Sequence, residues 1–136
     1  MQPAFDQPTI LTFEPRGSSA EGYLTVAAVQ TDIPFEIRRV FWTYFTPQDI
    51  SRGRHAHYQT EMVLVAVHGR IELTAELVGG ATFHFVLDKP TRGLYLPPLC
   101  WHSMTYSHDA VQLVLASTPY DAADYIRDYA VFRSLR

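Results

Sequence analysis

The sequence predicts an all-β domain, a sandwich or small barrel closed by one short C-terminal helix. Two observations carry that expectation. From Gly22 onward, runs rich in branched and aromatic residues alternate with turn signals about every 8 to 12 residues. Eight phenylalanines, eight tyrosines and two tryptophans in 136 residues supply side chains that favour pleated, half-buried surfaces.

Along the chain, residues 1–20 are expected to be irregular, since prolines stand at positions 3, 8 and 15 and Gly17-Ser18-Ser19 interrupts the run. Strands are expected over 23–29, 37–45, 62–67, 70–77, 82–87, 94–96, 103–106 and 111–116. The clearest alternation sets Ile71, Leu73, Ala75 and Leu77 against Arg70, Glu72, Thr74 and Glu76, the pattern of a strand buried on one face. Gly79-Gly80 offers the positive φ angles of a tight hairpin, after which Phe83, Phe85 and Leu87 resume the inward face. The run 62–67 is apolar on both faces, which places it in the middle of a sheet. Residues 121–133 read as the helix, with Asp121 as N-cap and Tyr125, Tyr129 and Phe132 along one face.

Fourteen acidic residues against eleven basic ones leave a formal charge of -3, without the basic stripe of a nucleic-acid binder. No run approaches the roughly 18 to 20 apolar residues that span a bilayer, and MQPAFDQPTI lacks the basic-then-apolar pattern of a signal peptide. A cytoplasmic protein engaging neither nucleic acid nor membrane is expected. Cys100 is the only cysteine, so there is no internal disulfide, as suits a reducing compartment. Ten of the eleven basic residues are arginine; its planar fork suits phosphate and carboxylate, although a GC-rich genome yields the same bias.

The stretch Arg52-Gly53-Arg54-His55-Ala56-His57-Tyr58-Gln59-Thr60-Glu61 carries the chemistry. In an extended chain His55 and His57 project to one side while Ala56 faces away, and Glu61 shares the histidines' side if the strand stays regular. A second stretch, Gly93-Leu94-Tyr95-Leu96-Pro97-Pro98-Leu99-Cys100-Trp101-His102, ends at another histidine. Two chemistries fit a convergence of these groups. One is a metal site with His55, His57, Glu61 and His102 as ligands. The other is acid/base catalysis by imidazoles, whose unperturbed pKa near 6.5 suits neutral pH. Histidines that merely satisfy hydrogen bonds on a half-buried strand are the plainer alternative.

Several segments in fixed order resemble the dTDP-4-keto-6-deoxy-D-glucose 3,4-ketoisomerases, the WxcM-like family of sugar-nucleotide cupins. They are IPFEIRRVFW at 33–42, RGRHAH at 52–57, GLYLPPLCWHSM at 93–104, LVLAS at 113–117 and DYIRDY at 124–129. The resemblance implies one cupin domain over 1–136, a jelly-roll β-barrel, acting as a homodimer with exchanged N-terminal strands. It further implies an active site without metal or other cofactor, which moves the ketone of a dTDP-linked keto-deoxysugar from C-4 to C-3. By position, His55 and His57 are then the acid/base pair, and Arg39 and Arg52 contact substrate. Glu61 and His102 line the same pocket, and Trp101 could stack on base or sugar or simply pack in the core. Arg39 faces inward only if it meets an anion, either phosphate or a buried carboxylate such as Glu61.

Three positions depart from the family pattern. Glu21 stands where an arginine is common, Met62 where a glutamine is, and Phe41 where a tyrosine is. A non-catalytic module that binds a sugar nucleotide is the reading that the loss of polar groups at Met62 and Phe41 would suit. His68, His84 and His108 are expected on the surface, Cys100 as a structural thiol, and Tyr120, Tyr125 and Tyr129 in helix packing.

Overall fold

The computed structural model describes residues 2–136. Its strands are β1 (Thr9–Thr12), β2 (Pro15–Ser18), β3 (Gly22–Thr25), β4 (Arg39–Tyr44), β5 (Arg52–His57), β6 (Met62–His68), β7 (Ile71–Leu77), β8 (Thr82–Leu87), β9 (Arg92–Leu96), β10 (Cys100–Tyr106), β11 (Val111–Ala116) and β12 (Tyr125–Ile126), with one α-helix, α1 (Tyr129–Arg133). One sheet runs β1-β9-β6-β11-β4 and the other β12-β5-β10-β7-β8. Together they form the all-β, cupin-type jelly roll, with β2 and β3 as a separate hairpin.

The period-two pattern fills the space between the sheets. Met62, Leu64 and Ala66 from β6 meet Ile71, Leu73 and Ala75 from β7 and Leu94 and Leu96 from β9 in one buried cluster. The intervening residues of β6, Val63 and Val65, are equally buried on the outer face, beneath Phe13, Ile33 and Phe35. Both faces of β6 are therefore covered, and it takes the sheet centre. The expected hairpin forms after β7, where Leu77 N–H donates to the Ala81 carbonyl and Gly80 takes φ +101°.

Both chain ends differ from expectation. Residues 1–20 are not wholly irregular: β1 pairs with β9, and β2 pairs with β3. Nothing periodic marks these strands, because their pairing comes from the sheet edge and the turn. The expected strand 23–29 stops at Thr25.

The expected helix 121–133 is broken. Asp121 caps only a single 3₁₀ turn, Ala122–Asp124; Tyr125 and Ile126 then pair with His57 and Ala56 as β12. Asp128 caps the short α1. The open edge of β5 draws the backbone into the ladder, and this tertiary pairing overrides weak helical spacing. Phe132 still packs as expected, beside Ala56 and Ile126 on the outer face of the second sheet.

Candidate active site

β5 begins with a kink. Gly53 takes φ +82° and Arg54 φ +56°; His55 lies opposite His102 while Gly53 lies opposite Ser103, which makes Arg54 the extra residue of a β-bulge. A Cβ on Gly53 would stand 2.9 Å from the His102 carbonyl oxygen, so glycine is required for both its torsion and its space. Beyond the kink, Ala56 is buried against the outer cluster while His55 and His57 share the other side. Their ring centroids are 4.9 Å apart.

His102, from the neighbouring strand, completes a group of three, with centroids 4.6 Å from His55 and 6.2 Å from His57. Burial lowers the pKa of all three, because little water is left to solvate a charged ring. His57 falls to about 4, with the charge of His55 adding to the burial effect and Asp124 opposing it. His102 falls to about 3. At neutral pH these rings are uncharged. Nδ1 of His55 lies 3.1 Å from the Gly53 carbonyl oxygen and Nδ1 of His102 lies 3.1 Å from that of Cys100. A carbonyl only accepts, so each Nδ1 carries the proton and each Nε2 holds a free lone pair.

Arg39 joins from β4, whose side chains alternate between half-buried and exposed. One of its terminal nitrogens donates to the Tyr125 hydroxyl at 3.2 Å, and the guanidinium lies over Phe41 and Tyr120. Its buried Nε has no acceptor among the described residues. Tyr125 in turn packs on both His57 and His55, with centroids 4.4 and 5.0 Å away. Tyr125 is thus a wall of the site and not helix packing, a consequence of the β12 pairing.

Asp124 was not singled out by the sequence beyond its place in DYIRDY. Its Oδ2 lies 3.2 Å from His57 Nδ1, off the N–H line, so the ring nitrogen makes no well-aligned hydrogen bond. The carboxylate accepts from Gln59 N–H at 2.8 Å and from the Thr60 hydroxyl.

The other expected site residues are placed differently. Arg52 is exposed at the start of β5 and borders an interior hollow of about 80 Å³, together with Phe41, Thr43, His55, Met62 and His102. Glu61 does not join the histidines. It follows the loop after β5 and accepts from the Tyr95 hydroxyl at 2.6 Å, and Tyr95 belongs to the outer-face cluster. Arg39 therefore has no bond to Glu61.

Trp101 points away from His102, as strand alternation requires, and packs on Tyr129 and Phe132. Glu21 sits in the exposed turn between β2 and β3. Among the described residues no three His, Cys, Asp or Glu side chains are grouped to hold a metal ion. The set His55, His57, Glu61 and His102 fails because Glu61 is turned to the outer face. Burial raises the Cys100 thiol to about 12, which fits a structural thiol.

The sequence matches the family described as FdtA: WxcM-like, C-terminal, over residues 7–136. It is 39% identical over 115 residues to the TDP-4-oxo-6-deoxy-α-D-glucose-3,4-oxoisomerase of Aneurinibacillus thermoaerophilus, covering 84% of this chain and 82% of that one. The 3,4-ketoisomerase QdtA of Thermoanaerobacterium thermosaccharolyticum, solved as a histidine-to-asparagine variant with TDP-4-keto-6-deoxyglucose, superposes with a TM-score of 0.90 at 31% identity, covering 96% of this chain and 94% of that one. The TDP-quinovose 3,4-ketoisomerase WlaRB of Campylobacter jejuni gives 0.88 at 34% identity, covering 96% and 99%.

Proposed function

We infer that this chain, which belongs to the FdtA family of WxcM-like proteins, is an isomerase that moves the ketone of a dTDP-linked 4-keto-6-deoxy-hexose from C-4 to C-3. The observation that carries the reading is the meeting of three neutral imidazoles with an arginine whose buried Nε lacks an acceptor. A fold with no reaction to run seldom keeps such groups together in a half-buried site.

The C-3 hydrogen is acidified by the adjacent ketone. It leaves as a proton to an imidazole Nε2 while its electron pair forms the C-3–C-4 double bond and the C-4 carbonyl oxygen becomes an enediolate. The proton of the 3-hydroxyl passes to the C-4 oxygen, a proton is delivered to C-4, and the ketone closes at C-3. Atoms and charge are conserved. His55 and His57 are the proposed acid/base pair, whose positioned proton transfers contribute roughly 100- to 10,000-fold. Arg39 is proposed to hold an anionic oxygen of the substrate through its unpaired Nε, and His102 and Arg52 to border the sugar. The interior hollow of about 80 Å³ admits part of a hexose, so the nucleotide is proposed to lie outside it. These side chains supply every proton transfer, and the reading calls for no metal.

A homodimer belongs to the same reading. Val40, Trp42 and Tyr44 on the outer face of β4 are exposed, as are Tyr23 and Leu24 of the hairpin. An apolar hollow of about 610 Å³ lies between the hairpin and the sheet, with Phe13, Tyr23, Val65, Val67, Leu113 and Leu115 in its walls. That much apolar surface suits burial by a second copy. β1 is held by the chain's own β9, so the exchanged element is proposed to be the β2–β3 hairpin. Among the described residues no helix is long and apolar enough to cross a membrane. A cytoplasmic location is proposed from the chemistry of sugar nucleotides and from the single, buried Cys100.

The test is incubation with dTDP-4-keto-6-deoxyglucose in deuterated water after treatment with a chelator. Appearance of the 3-keto isomer with solvent deuterium in the sugar ring is expected. Absence of both, or activity that returns only on adding a metal ion, overturns the reading.

A further inference from the structure

The interior hollow beside the imidazoles is polar in a second place. His55 and His102 border it, and so do Tyr106 of β10 and Gln112 of β11, while Phe41, Met62, Leu64 and Val114 leave much of the remaining wall apolar. Gln112 is only 2% exposed, so bulk water cannot satisfy its amide. What the amide touches therefore decides what it is for.

Its orientation follows from its neighbours. One terminal atom of the amide lies 2.9 Å from Met104 Sδ and the other 2.8 Å from the Tyr106 hydroxyl. A thioether has no proton to give, so the atom facing it is the nitrogen, and the amide oxygen accepts from Tyr106. Burial pushes the Tyr106 hydroxyl up to about 12, so it keeps that proton at neutral pH. The same hydroxyl leans back towards Met104, 3.7 Å from its sulfur.

The amide nitrogen is poorly used. It carries two N–H bonds; sulfur, a weak acceptor, takes one, and the other has no acceptor among the described residues. A buried donor left short of a partner costs stability, and an apolar side chain of similar length would fill the space without that cost. Beside a hollow, the missing acceptor is one that a ligand brings.

Its place suits a sugar. His102 and Met104 are successive inward residues of β10, about 6 to 7 Å apart along the strand. The imidazole of His102 and the amide nitrogen on Met104 are thus close enough for one sugar ring to touch both. In a 4-keto-6-deoxy-hexose the 3-hydroxyl reacts, C-1 carries the nucleotide and C-6 has no oxygen. The hydroxyl left to accept is the one on C-2.

From this geometry we propose that Gln112 is a specificity-determining residue of the isomerisation, its second amide N–H donating to the 2-hydroxyl oxygen of the hexose. Tyr106 is the positioning residue that holds the amide oxygen and so turns the nitrogen to the hollow. The proposal rests on the ketoisomerase reading, which puts the hexose in the hollow and the nucleotide outside it. The 2-hydroxyl keeps its charge throughout the reaction, so this bond is made alike in the bound substrate and in the transition state. It selects and holds the sugar without speeding the chemical step.

The test is the kinetics of Tyr106→Phe and Gln112→Met, made together, with dTDP-4-keto-6-deoxyglucose and with its 2-deoxy analogue. Both replacements keep the shape of the side chain, and removing both ends of the bond leaves no orphaned group. The parent protein is expected to show a KM for the 2-deoxy analogue roughly 3- to 10-fold above that for the 2-hydroxy sugar, the span of one neutral hydrogen bond. In the double variant the KM for the 2-hydroxy sugar should rise by that factor, erasing the preference. Its kcat should stay within about twofold, the dissociation constant for dTDP should not move, and the melting temperature should be equal or higher.

A double variant that melts lower and keeps the parent's preference would make the pair a structural bond and overturn the proposal. So would an equal rise in KM for both sugars. Equal KM values in the parent protein also overturn it, a result that needs no variant to fold. A parent protein that turns over neither sugar sinks the ketoisomerase reading instead. Calorimetry with the same two sugar nucleotides then decides the contact alone: a preference lost in the double variant upholds it, and equal affinities in the parent overturn it.

Discussion

The rings of His55 and His102 meet at 70° across the seam between β5 and β10, their centroids 4.6 Å apart, and each has given Nδ1 to a backbone carbonyl. Two adjacent neutral imidazoles present lone pairs and no positive charge, an arrangement suited to accepting protons and unsuited to holding an anion. Holding the anion is the role proposed for Arg39.

Replacing either histidine of the pair removes a proposed proton-transfer group without opening a large hole. His55→Asn and His57→Asn are expected to lower turnover by roughly 100-fold or more. Proton NMR of the sugar in deuterated water reads both isomerisation and exchange, and circular dichroism confirms that the fold survives.

Arg39→Met removes the unpaired Nε and the donor to the Tyr125 hydroxyl. Losing hydrogen bonds to a charged oxygen costs about 1.5 to 3 kcal/mol, so KM and the dissociation constant for dTDP-sugar should rise roughly 10- to 100-fold. Arg39→Lys should recover little, because an ammonium cannot reproduce the fork. Calorimetric titration distinguishes these outcomes.

Acid should unfold this protein early. His57 and His102 have folded pKa values of about 4 and about 3, below the unfolded value near 6.5. Between those limits the unfolded chain binds more protons than the folded one, so stability falls as pH falls from about 6.5 towards 4 and 3. Each such histidine contributes a slope of up to about 1.4 kcal/mol per pH unit. Urea denaturation at a series of pH values should show this loss, and His102→Gln should flatten it.

The outer face of β4 gives a test of assembly. Trp42 is 60% exposed in the single chain, and a charge introduced there would have to be buried by any partner copy. Trp42→Glu is expected to convert a dimer to a monomer in sedimentation velocity while leaving the β-sheet signal intact. A parent protein that sediments as a monomer refutes the dimer.

The barrel was legible where a strand's own side chains set its burial. The alternation in β7, the two-faced apolar run of β6 and the glycine turn before β8 each state their place locally. The pairing of His55 with His57 followed from alternation alone, as did the outward turn of Ala56. Glu61 was misplaced because the strand ends at His57 and the intervening loop resets the alternation. Tyr125 was misread because its spacing to Tyr129 and Phe132 resembles a helix face, whereas the decisive force is the unpaired edge of β5. Asp124 gave no local signal, since Gln59 and Thr60, the groups that orient it, lie 65 and 64 residues earlier in the chain.

The two-residue strand β12 ties the last dozen residues to the candidate site. It caps what would otherwise be a bare edge of β5, and it hangs Tyr125 over the imidazoles. Trimming the tail, or fusing a bulky tag close behind it, would strip one wall from the proposed reaction chamber and leave a sticky ribbon in its place. Engineering at this terminus should therefore be expected to trade away solubility and turnover together.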